Sequence, residues 1–300
     1  YKRQIMQHSQ GVWKISDLLK HAASMLSEAG VEAPHTDAER LLEDCLVVSR
    51  TELYLRVENS VGGAQVRRCL AMLKRRCGRE PLAYITGECE FWSNTFGVNP
   101  AVLIPRPETE LLIERVAREN SGRYRPGKCL DLCCGSGVIA IILALELDLE
   151  VIALDISRAA LEVCRSNCVR HGVENKVQLV EANLTSCFNE HTQFTLITAN
   201  PPYVSHTEMK SGMQPEVIDF EPCLALDGGR DGLQLINSIL AALPALLAPG
   251  GDLFMEIGAD QGAAVTTLLR ESACADLYQS IDIIKDYGGR DRLLQVRKNI

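Results

Sequence analysis

The segment Phe194-Thr-Leu-Ile-Thr-Ala-Asn-Pro-Pro-Tyr203 decides the fold prediction. Its first six residues are apolar or β-branched, a composition that predicts a buried strand of a parallel sheet. Ligands of open α/β sheets bind beyond the carboxyl ends of such strands. The four residues that follow the strand, Asn200 to Tyr203, are therefore predicted to lie at a binding site.

The chemistry of these four residues suits a planar NH2 group. Pro201 and Pro202 fix two φ angles and remove two backbone donors. The remaining rim consists of acceptors, the Asn200 side-chain oxygen and nearby carbonyls, beside the flat ring of Tyr203. We therefore predict a catalytic site that holds an amide or aromatic amine nitrogen as a nucleophile. The alternative is a strand-ending turn, because Asn and Pro are common turn residues.

Outward from this segment, strand-like and helix-like stretches alternate from Lys128 onward. Helices such as Val138–Leu147 and Arg158–His171 separate most of the strands. The predicted fold class is α/β, with a seven-stranded, mostly parallel, Rossmann-like sheet covered on both faces and an antiparallel pair at the end of the chain. The predicted strands are Lys128–Leu132, Glu150–Asp155, Val177–Glu181, Phe194–Asn200, Asp252–Ile257, Ser280–Ile284 and Arg292–Arg297.

The first part of the chain has helical patterns instead. Predicted helices cover Ser16–Ala29, Thr36–Leu46, Thr51–Arg56 and a stretch that follows Gly62-Gly63 and ends at Cys77, with Thr36 and Thr51 as caps. A hairpin with Ser93-Asn94 at its centre and a helix from Pro107 to Glu119 come next. The predicted domains are a helical domain over residues 1–86, a hairpin linker over 87–106 and a catalytic domain over 107–300.

A glycine-rich turn predicts a nucleotide-type cofactor site. The segment Leu130-Asp-Leu-Cys-Cys-Gly-Ser-Gly137 joins a strand to a helix, whose first amides point at a ligand. Asp155 ends the next strand, where a carboxylate can accept from two ribose hydroxyls. Asn183 and Leu184 follow the third strand and would meet an adenine ring. The candidate cofactor residues are Cys133, Cys134, Gly135, Ser136, Gly137, Asp155, Asn183, Leu184 and Asn200.

The glycine pattern alone leaves a second enzyme class open. Gly135-x-Gly137-x-x-Ala140 also satisfies the dinucleotide fingerprint, so an NAD-dependent oxidoreductase is an alternative. Asp131 weighs against it, because a carboxylate before the glycines would repel a pyrophosphate but would pair with a cationic amino-acid tail. The chain also has no evident hydride-transfer acid. Taken alone, Asp155 is also typical of a strand-end turn.

Composition restricts the partners. The net charge is −8, and residues 87–300 hold 18 Lys and Arg against 29 Asp and Glu, which argues against a general nucleic-acid binder. The basic cluster between Arg67 and Arg79 predicts a solvated helix face or, alternatively, a docking patch. The chain has no run of 18 apolar residues, so no membrane-spanning helix is predicted.

The loop over residues 204–232 is predicted to lack regular structure and to form part of a substrate cleft, or else to be a surface insertion.

The twelve cysteines are scattered and lack the spacing of a metal site. We therefore expect twelve reduced thiols, a reducing compartment and no metal.

Several motifs together resemble the HemK/PrmC family, release-factor glutamine N5-methyltransferases that use S-adenosylmethionine. The likeness runs in order along nearly the whole chain. The matching segments are Glu80–Gly87, Phe91-Trp92, Val102–Glu110, Leu130–Gly137, Asn200–Tyr203, Glu221-Pro222 and Gly229-x-Asp231-Gly232-Leu233.

The resemblance implies methyl transfer to the glutamine of the Gly-Gly-Gln motif in peptide chain release factors. Asn200 and the Pro201 carbonyl would hold the amide NH2, Tyr203 would pack on it, and the glycine loop, Asp155 and the Asn183-Leu184 corner would hold S-adenosylmethionine. It also implies a small helical N-terminal domain and a seven-stranded methyltransferase domain. We further expect a monomer, no bound nucleic acid and no membrane.

Two positions depart from the family pattern. Cys133 stands where the family commonly has glycine, so this position would have to keep a glycine conformation with a side chain present. Asn183 stands where an acid is often found, but it still accepts a hydrogen bond. The many cysteines and the absence of an initial Met suit a mitochondrial matrix protein without its targeting peptide, with a cytoplasmic location as the alternative. The other functional alternatives are an adenine-N6 methyltransferase for DNA or RNA, and a module that binds a termination factor without catalysis.

Overall fold

The computed structural model describes residues 13–120, 127–189 and 191–300. Two compact units are present: one holds residues up to Gly87 together with Pro215–Phe220, and the other holds Glu88–Gln214 and Glu221–Ile300. Residues 1–12 of the predicted helical domain, and residues 121–126 and 190 of the predicted catalytic domain, lie outside the described residues.

The helices are α1 (Ile15–Glu28), α2 (Pro34–Leu46), α3 (Arg50–Leu55), α4 (Gly63–Cys77), α5 (Leu82–Thr86), α6 (Glu110–Asn120), α7 (Val138–Glu146), α8 (Arg158–His171), α9 (His206–Ser211), α10 (Pro215–Phe220), α11 (Gln234–Leu246) and α12 (Gly262–Arg270). The strands are β1 (Glu88–Phe91), β2 (Asn94–Gly97), β3 (Cys129–Leu132), β4 (Val151–Asp155), β5 (Val177–Glu181), β6 (Phe194–Ala199), β7 (Leu247–Glu256), β8 (Tyr278–Lys285) and β9 (Asp291–Lys298). Single 3-10 turns cover Pro107–Thr109, Cys223–Ala225 and Ala275–Leu277.

The first unit is a group of helices around one apolar core. The stripe on α1 buries Leu18, Ala22 and Leu26, which pack with apolar side chains of α2 and α4. The predicted helices are present, but two predicted caps are wrong. Helix α2 begins at Pro34, since proline has the φ of a first helical residue. Ser49, not Thr51, caps α3, with its oxygen bound by the Glu52 amide.

Ion pairs inside this unit change the interpretation of the basic cluster. Arg76 is buried and donates to Asp37 at 2.7 Å and to Glu216 at 3.0 Å. Arg79 donates to the other Glu216 oxygen at 2.6 Å. The prediction of a fully solvated helix face is therefore wrong for these two side chains, because an acid from α10, more than 130 residues away in sequence, binds them.

One pair of cysteines also departs from expectation. Cys45 of α2 and Cys69 of α4 form a disulfide, which corrects the prediction that all twelve cysteines are reduced thiols. The two residues are 24 positions apart, and the packing of their helices brings them together. No local spacing motif predicts a disulfide between cysteines 24 positions apart, so the sequence alone does not indicate this bond.

The second unit is built on a seven-stranded sheet in the order β5-β4-β3-β6-β7-β9-β8. The first five strands in this order, β5, β4, β3, β6 and β7, are parallel to their neighbours. Strand β9 is antiparallel to both β7 and β8. This confirms the predicted α/β fold with its antiparallel pair at the end of the chain. Helix α7 is buried from Val138 through Ala144, which accounts for its apolar sequence.

Two local predictions need correction. The turn of the β1–β2 hairpin is Trp92-Ser93, one residue earlier than predicted, and both residues have positive φ. The loop over residues 204–232 was predicted to lack regular structure, and this is wrong, because α9, α10 and the 3-10 turn over residues 223–225 lie within it. No helix among the described residues is long and apolar enough to cross a membrane.

Candidate functional site

The carboxyl ends of β3, β4, β5 and β6 lie side by side, and the segments that follow them border a cavity of about 180 Å³. Eight of the nine candidate cofactor residues line this cavity: Cys133, Cys134, Gly135, Ser136, Asp155, Asn183, Leu184 and Asn200. The ninth, Gly137, caps α7 just behind the wall. The parallel topology explains this convergence, because it brings four strand ends to one edge.

The backbone of the glycine-rich turn is left-handed at three positions. Gly137 has a φ of 84°, and a Cβ there would lie 2.3 Å from the Cys164 sulfur, so only glycine fits. Gly135 has a φ of 54°, and a Cβ there would meet no atom within 4 Å, since it would point into open space. Cys133 keeps the left-handed conformation with a φ of 58° despite its side chain. The missing glycine therefore leaves the turn intact.

Asp155 is held rigidly at the end of β4. One carboxylate oxygen accepts from the Gly135 amide at 2.9 Å and the other from the Ser157 amide at 2.9 Å. Burial raises the pKa of Asp155, and the two amide hydrogen bonds oppose that rise. A carboxylate has about four acceptor sites, more than these backbone amides occupy. A fixed carboxylate beside open space suits the paired hydroxyls of a ribose.

Asp131 has a different surrounding from the one its sequence position suggests. The side chain is completely buried and does not line the cavity; it accepts from the Thr198 hydroxyl at 2.7 Å. Burial raises the pKa of Asp131 to about 7. The structure therefore does not place Asp131 against the cationic tail of a ligand.

The four predicted catalytic residues divide into two pairs. Asn200 and Pro202 line the cavity, whereas Pro201 and Tyr203 do not. The Tyr203 hydroxyl donates to Glu256 at 2.9 Å and accepts from Arg292 at 3.4 Å. Burial is the main reason that the pKa of Tyr203 is raised. These hydroxyl bonds anchor the segment, and the packing of the Tyr203 ring on a bound amide stays a prediction.

Two residues that sequence reasoning missed support Asn200. The Asn200 amide donates to the Thr109 hydroxyl at 3.3 Å, and Thr109 donates to Glu256 at 2.7 Å. Glu256 is buried at the end of β7, and Thr109 also lines the cavity. The sequence carried a signal for Glu256, because an acid interrupts the apolar run from Leu253 to Ile257.

An ion pair between half-buried Arg106 and buried Glu221 connects two segments that border the cavity. Arg106 donates to Glu221 at 2.6 Å, and the Ile104 amide reaches the other oxygen at 3.4 Å. Residues close to this pair in sequence line the cavity: Ala101, Val102, Leu103, Pro105, Pro222, Leu224 and Ala225. Part of the predicted substrate-cleft loop therefore does border the cavity, whereas Pro215–Phe220 belongs to the helical unit.

The donor set fits an adenosine-containing methyl donor. The cavity offers a fixed carboxylate, the open space above Gly135 and apolar residues such as Leu184 and Ile156 for a ring. Within the described ranges, no group of three or more His, Cys, Asp or Glu side chains is arranged to hold a metal ion.

Comparison with known proteins gives matches to two family models. Residues 17–87 match the PrmC N-terminal domain, and residues 107–230 match the methyltransferase small domain. The release factor glutamine methyltransferase of Nitratidesulfovibrio vulgaris is 38% identical over 287 residues, 95% of this chain and 96% of that protein. The enzyme of the same name from Geobacter sulfurreducens is 34% identical over 96% of this chain and 98% of that protein.

Among solved structures, a 16S rRNA methyltransferase of T. thermophilus matches with a TM-score of 0.51 and 18% identity, covering 71% of this chain and 50% of that chain. This last likeness concerns the fold alone.

Proposed function

This chain belongs to the release factor glutamine methyltransferase family, and from that membership we propose its reaction. It transfers a methyl group from S-adenosylmethionine to the side-chain amide nitrogen of the glutamine in the Gly-Gly-Gln motif of a peptide chain release factor. The observation that carries the proposal is one cavity lined by eight of the nine predicted cofactor residues, with Asn200, the predicted catalytic residue, among them.

The residues of the chain act by positioning. S-adenosylmethionine, when bound, would supply an electrophilic methyl group on a sulfonium, so that the S–CH3 bond breaks as the N–CH3 bond forms, S-adenosylhomocysteine leaves, and the amide nitrogen releases one proton to water. Asp155 accepts from the ribose hydroxyls of the donor, and the Gly135 turn leaves room for its backbone. Asn200 accepts a hydrogen from the glutamine NH2 and holds that nitrogen in line. Orientation of this kind lowers a barrier by about 7–11 kcal/mol relative to free reactants.

The test is mass spectrometry of a purified release factor after incubation with the protein and methyl-labelled S-adenosylmethionine. We expect a gain of one methyl group on the glutamine of the Gly-Gly-Gln motif. Asn200→Ala should lower turnover by about 100-fold or more, on the scale of losing one positioned polar group, while the dissociation constant for S-adenosylmethionine stays nearly unchanged. Asn237→Ala is the matched control, because Asn237 is exposed on α11.

Two other outcomes of this labelling experiment would replace the proposed function with another one. The rim around Asn200 would also accept an adenine NH2, so label in DNA or RNA but not in the release factor would establish an adenine methyltransferase. The net charge of −8 disfavours that result. Donor binding without label in any acceptor would leave a binding module.

We also propose that the chain acts as a monomer, without bound nucleic acid, in the mitochondrial matrix. The many cysteines, ten of which are free thiols in the structure, support this location. The relatives described above are bacterial proteins and do not bear on it. Light scattering on the purified protein tests the first point. Microscopy of the tagged natural protein tests the location, and a purely cytoplasmic signal would contradict it.

A further inference from the structure

A line of hydrogen bonds runs from the cavity wall into the protein behind it. Asn200 Nδ2 lies 3.3 Å from Thr109 Oγ1, and Thr109 Oγ1 lies 2.7 Å from Glu256 Oε2. The other oxygen of Glu256 accepts from Tyr203, whose hydroxyl also accepts from Arg292. Thr109 and Glu256 are each 2% exposed, so water does not replace these bonds.

The direction of each bond follows from the donor inventory. Arg292 only donates, and an ionised Glu256 only accepts. Burial and the nearby Glu108 raise the pKa of Glu256, although hydrogen bonds from Thr109 and Tyr203 and the charge of Arg292 oppose the rise. The geometry assigns the carboxylate form, because each oxygen of Glu256 receives a hydroxyl hydrogen, one from Thr109 and one from Tyr203, which itself accepts from Arg292. Thr109 has a single hydroxyl hydrogen, which it donates in the hydrogen bond to Glu256. Thr109 Oγ1 can then only accept from Asn200, so the Asn200 NH2 has to face Thr109.

The orientation of Asn200 decides which of its atoms meets a substrate. When the NH2 faces Thr109, Oδ1 is the atom left to accept a hydrogen bond on the cavity side. If the amide rotated by half a turn, its NH2 would oppose the NH2 of a substrate glutamine, and two donors do not bind each other. Nothing in the Asn200 side chain itself selects between these orientations, since the two ends of an amide are nearly equal in shape.

We propose that Thr109, itself oriented by Glu256, is a positioning residue that fixes the Asn200 amide with Oδ1 toward the substrate. This inference rests on the function proposed above and deepens it. The 3-10 turn over Pro107–Thr109 keeps Thr109 in place, because its amide bonds the Arg106 carbonyl at 3.0 Å and proline restricts the backbone. The segment around Pro107 and the strand end at Glu256 thus act on the reaction through Asn200.

A matched residue separates this role from ordinary packing. Thr198 also donates to a completely buried carboxylate, Asp131, at 2.7 Å, and none of its hydrogen bonds reaches Asn200. Thr109→Val and Thr198→Val each remove one buried hydroxyl with little change in shape. Both should lower the unfolding temperature to a similar extent. Only Thr109→Val should impair the orientation of Asn200.

The experiment compares methylation of a purified release factor by the full-length wild type, Thr109→Val, Thr109→Ser and Thr198→Val at saturating S-adenosylmethionine. We expect Thr109→Val to lower kcat by about 10- to 100-fold, below the loss for an oriented donor removed outright. The dissociation constant for S-adenosylmethionine should change less than about threefold in that variant. Thr109→Ser keeps the hydroxyl and should recover most of kcat.

A double-mutant cycle gives the decisive readout. In an Asn200→Ala background there is no amide to orient, so adding Thr109→Val should lower the residual rate by less than about twofold. An equal loss in both backgrounds, or an equal loss of kcat in Thr198→Val, would overturn the positioning role and indicate a general structural effect. Wild-type labelling with an unimpaired Thr109→Val would overturn it while leaving the proposed function standing. A wild type that labels no release factor would overturn the proposed function and this inference with it.

Discussion

Removing Arg106 while leaving Glu221 in place should destabilise the protein in a strongly pH-dependent way. The Glu221 side chain is 1% exposed and the Arg106 side chain 33% exposed, and their atoms are 2.6 Å apart. Burial raises the pKa of Glu221 above its ordinary value of 4.5, and Arg106 partly offsets this rise. In Arg106→Leu the offset disappears, and the carboxyl has to be either charged without a partner or protonated.

The size of the effect follows from proton linkage. Holding a carboxyl protonated at pH 7.5, three units above its ordinary pKa, costs about 4 kcal/mol, since each unit corresponds to about 1.4 kcal/mol. The wild type already carries part of the cost of burying Glu221, so we expect Arg106→Leu to lose about 3 kcal/mol, at the lower end of losses for broken buried pairs. A raised folded-state pKa means that stability falls as pH rises above 4.5, so the loss should shrink to about 1 kcal/mol at pH 5.

Urea unfolding followed by circular dichroism at both pH values measures this difference. The double variant Arg106→Leu/Glu221→Gln removes the charge as well and should regain stability at pH 7.5. Arg170→Leu breaks the exposed Arg170–Glu88 pair and should cost less than about 1 kcal/mol at both pH values. The reasoning fails if Arg106→Leu loses the same stability at pH 5 as at pH 7.5, or if the double variant is no more stable than the single one.

Two further predictions concern the loop and strand beside the cavity. Cys133→Gly should change the free energy of unfolding by less than about 1 kcal/mol, because relief of the left-handed strain and the added entropy of the unfolded chain oppose each other. Cys133→Val should cost about 2 kcal/mol or more; urea unfolding distinguishes the two variants, and equal losses would contradict the strain argument. Relative to the wild type, Asp131→Asn should gain free energy of unfolding as pH rises from about 4 to about 7, by up to about 1.4 kcal/mol per pH unit, and no more above pH 7, because burial raises the pKa of Asp131 from 3.8 to about 7. A difference between the two proteins that does not change with pH would show that the carboxyl titrates normally.

The seven strands of the sheet could be predicted because each is a local pattern. A short run of apolar or alternating residues between turn residues predicts a strand, and the predicted bounds Val177–Glu181 match the observed ones. The convergence of the glycine turn, Asp155 and Asn200 at one cavity then follows from parallel topology. The cavity side of the candidate site was therefore accessible from sequence.

The support behind the cavity was not accessible, because it depends on contacts between distant parts of the chain. Thr109 and Glu256 are 147 positions apart, and Arg106 and Glu221 are 115 apart. The resemblance marked the segments containing Arg106, Thr109 and Glu221 without assigning them a role. The ring of Tyr203 suits an amide plane, but no local pattern shows that its hydroxyl donates to Glu256, which lies 53 positions away.

Three buried acids around the cavity, Asp131, Glu221 and Glu256, are unfavourable for stability alone. Burial raises the pKa of each, which means that the folded chain holds each charge less readily than water does. Well-packed apolar residues in such places are often neutral or stabilising. Glu221 and Glu256 instead receive hydrogen bonds from Arg106, which follows the cavity-lining Pro105, and from Thr109 on the cavity wall, whereas Asp131 receives one from Thr198 away from the cavity. A carboxylate only accepts, so it fixes the direction of every hydrogen bond that reaches it, and an apolar side chain cannot do this. A transfer reaction that depends on positioning gains from fixed donors and acceptors at the cavity, and this accounts for buried charge at the places where the fold would be more stable without it.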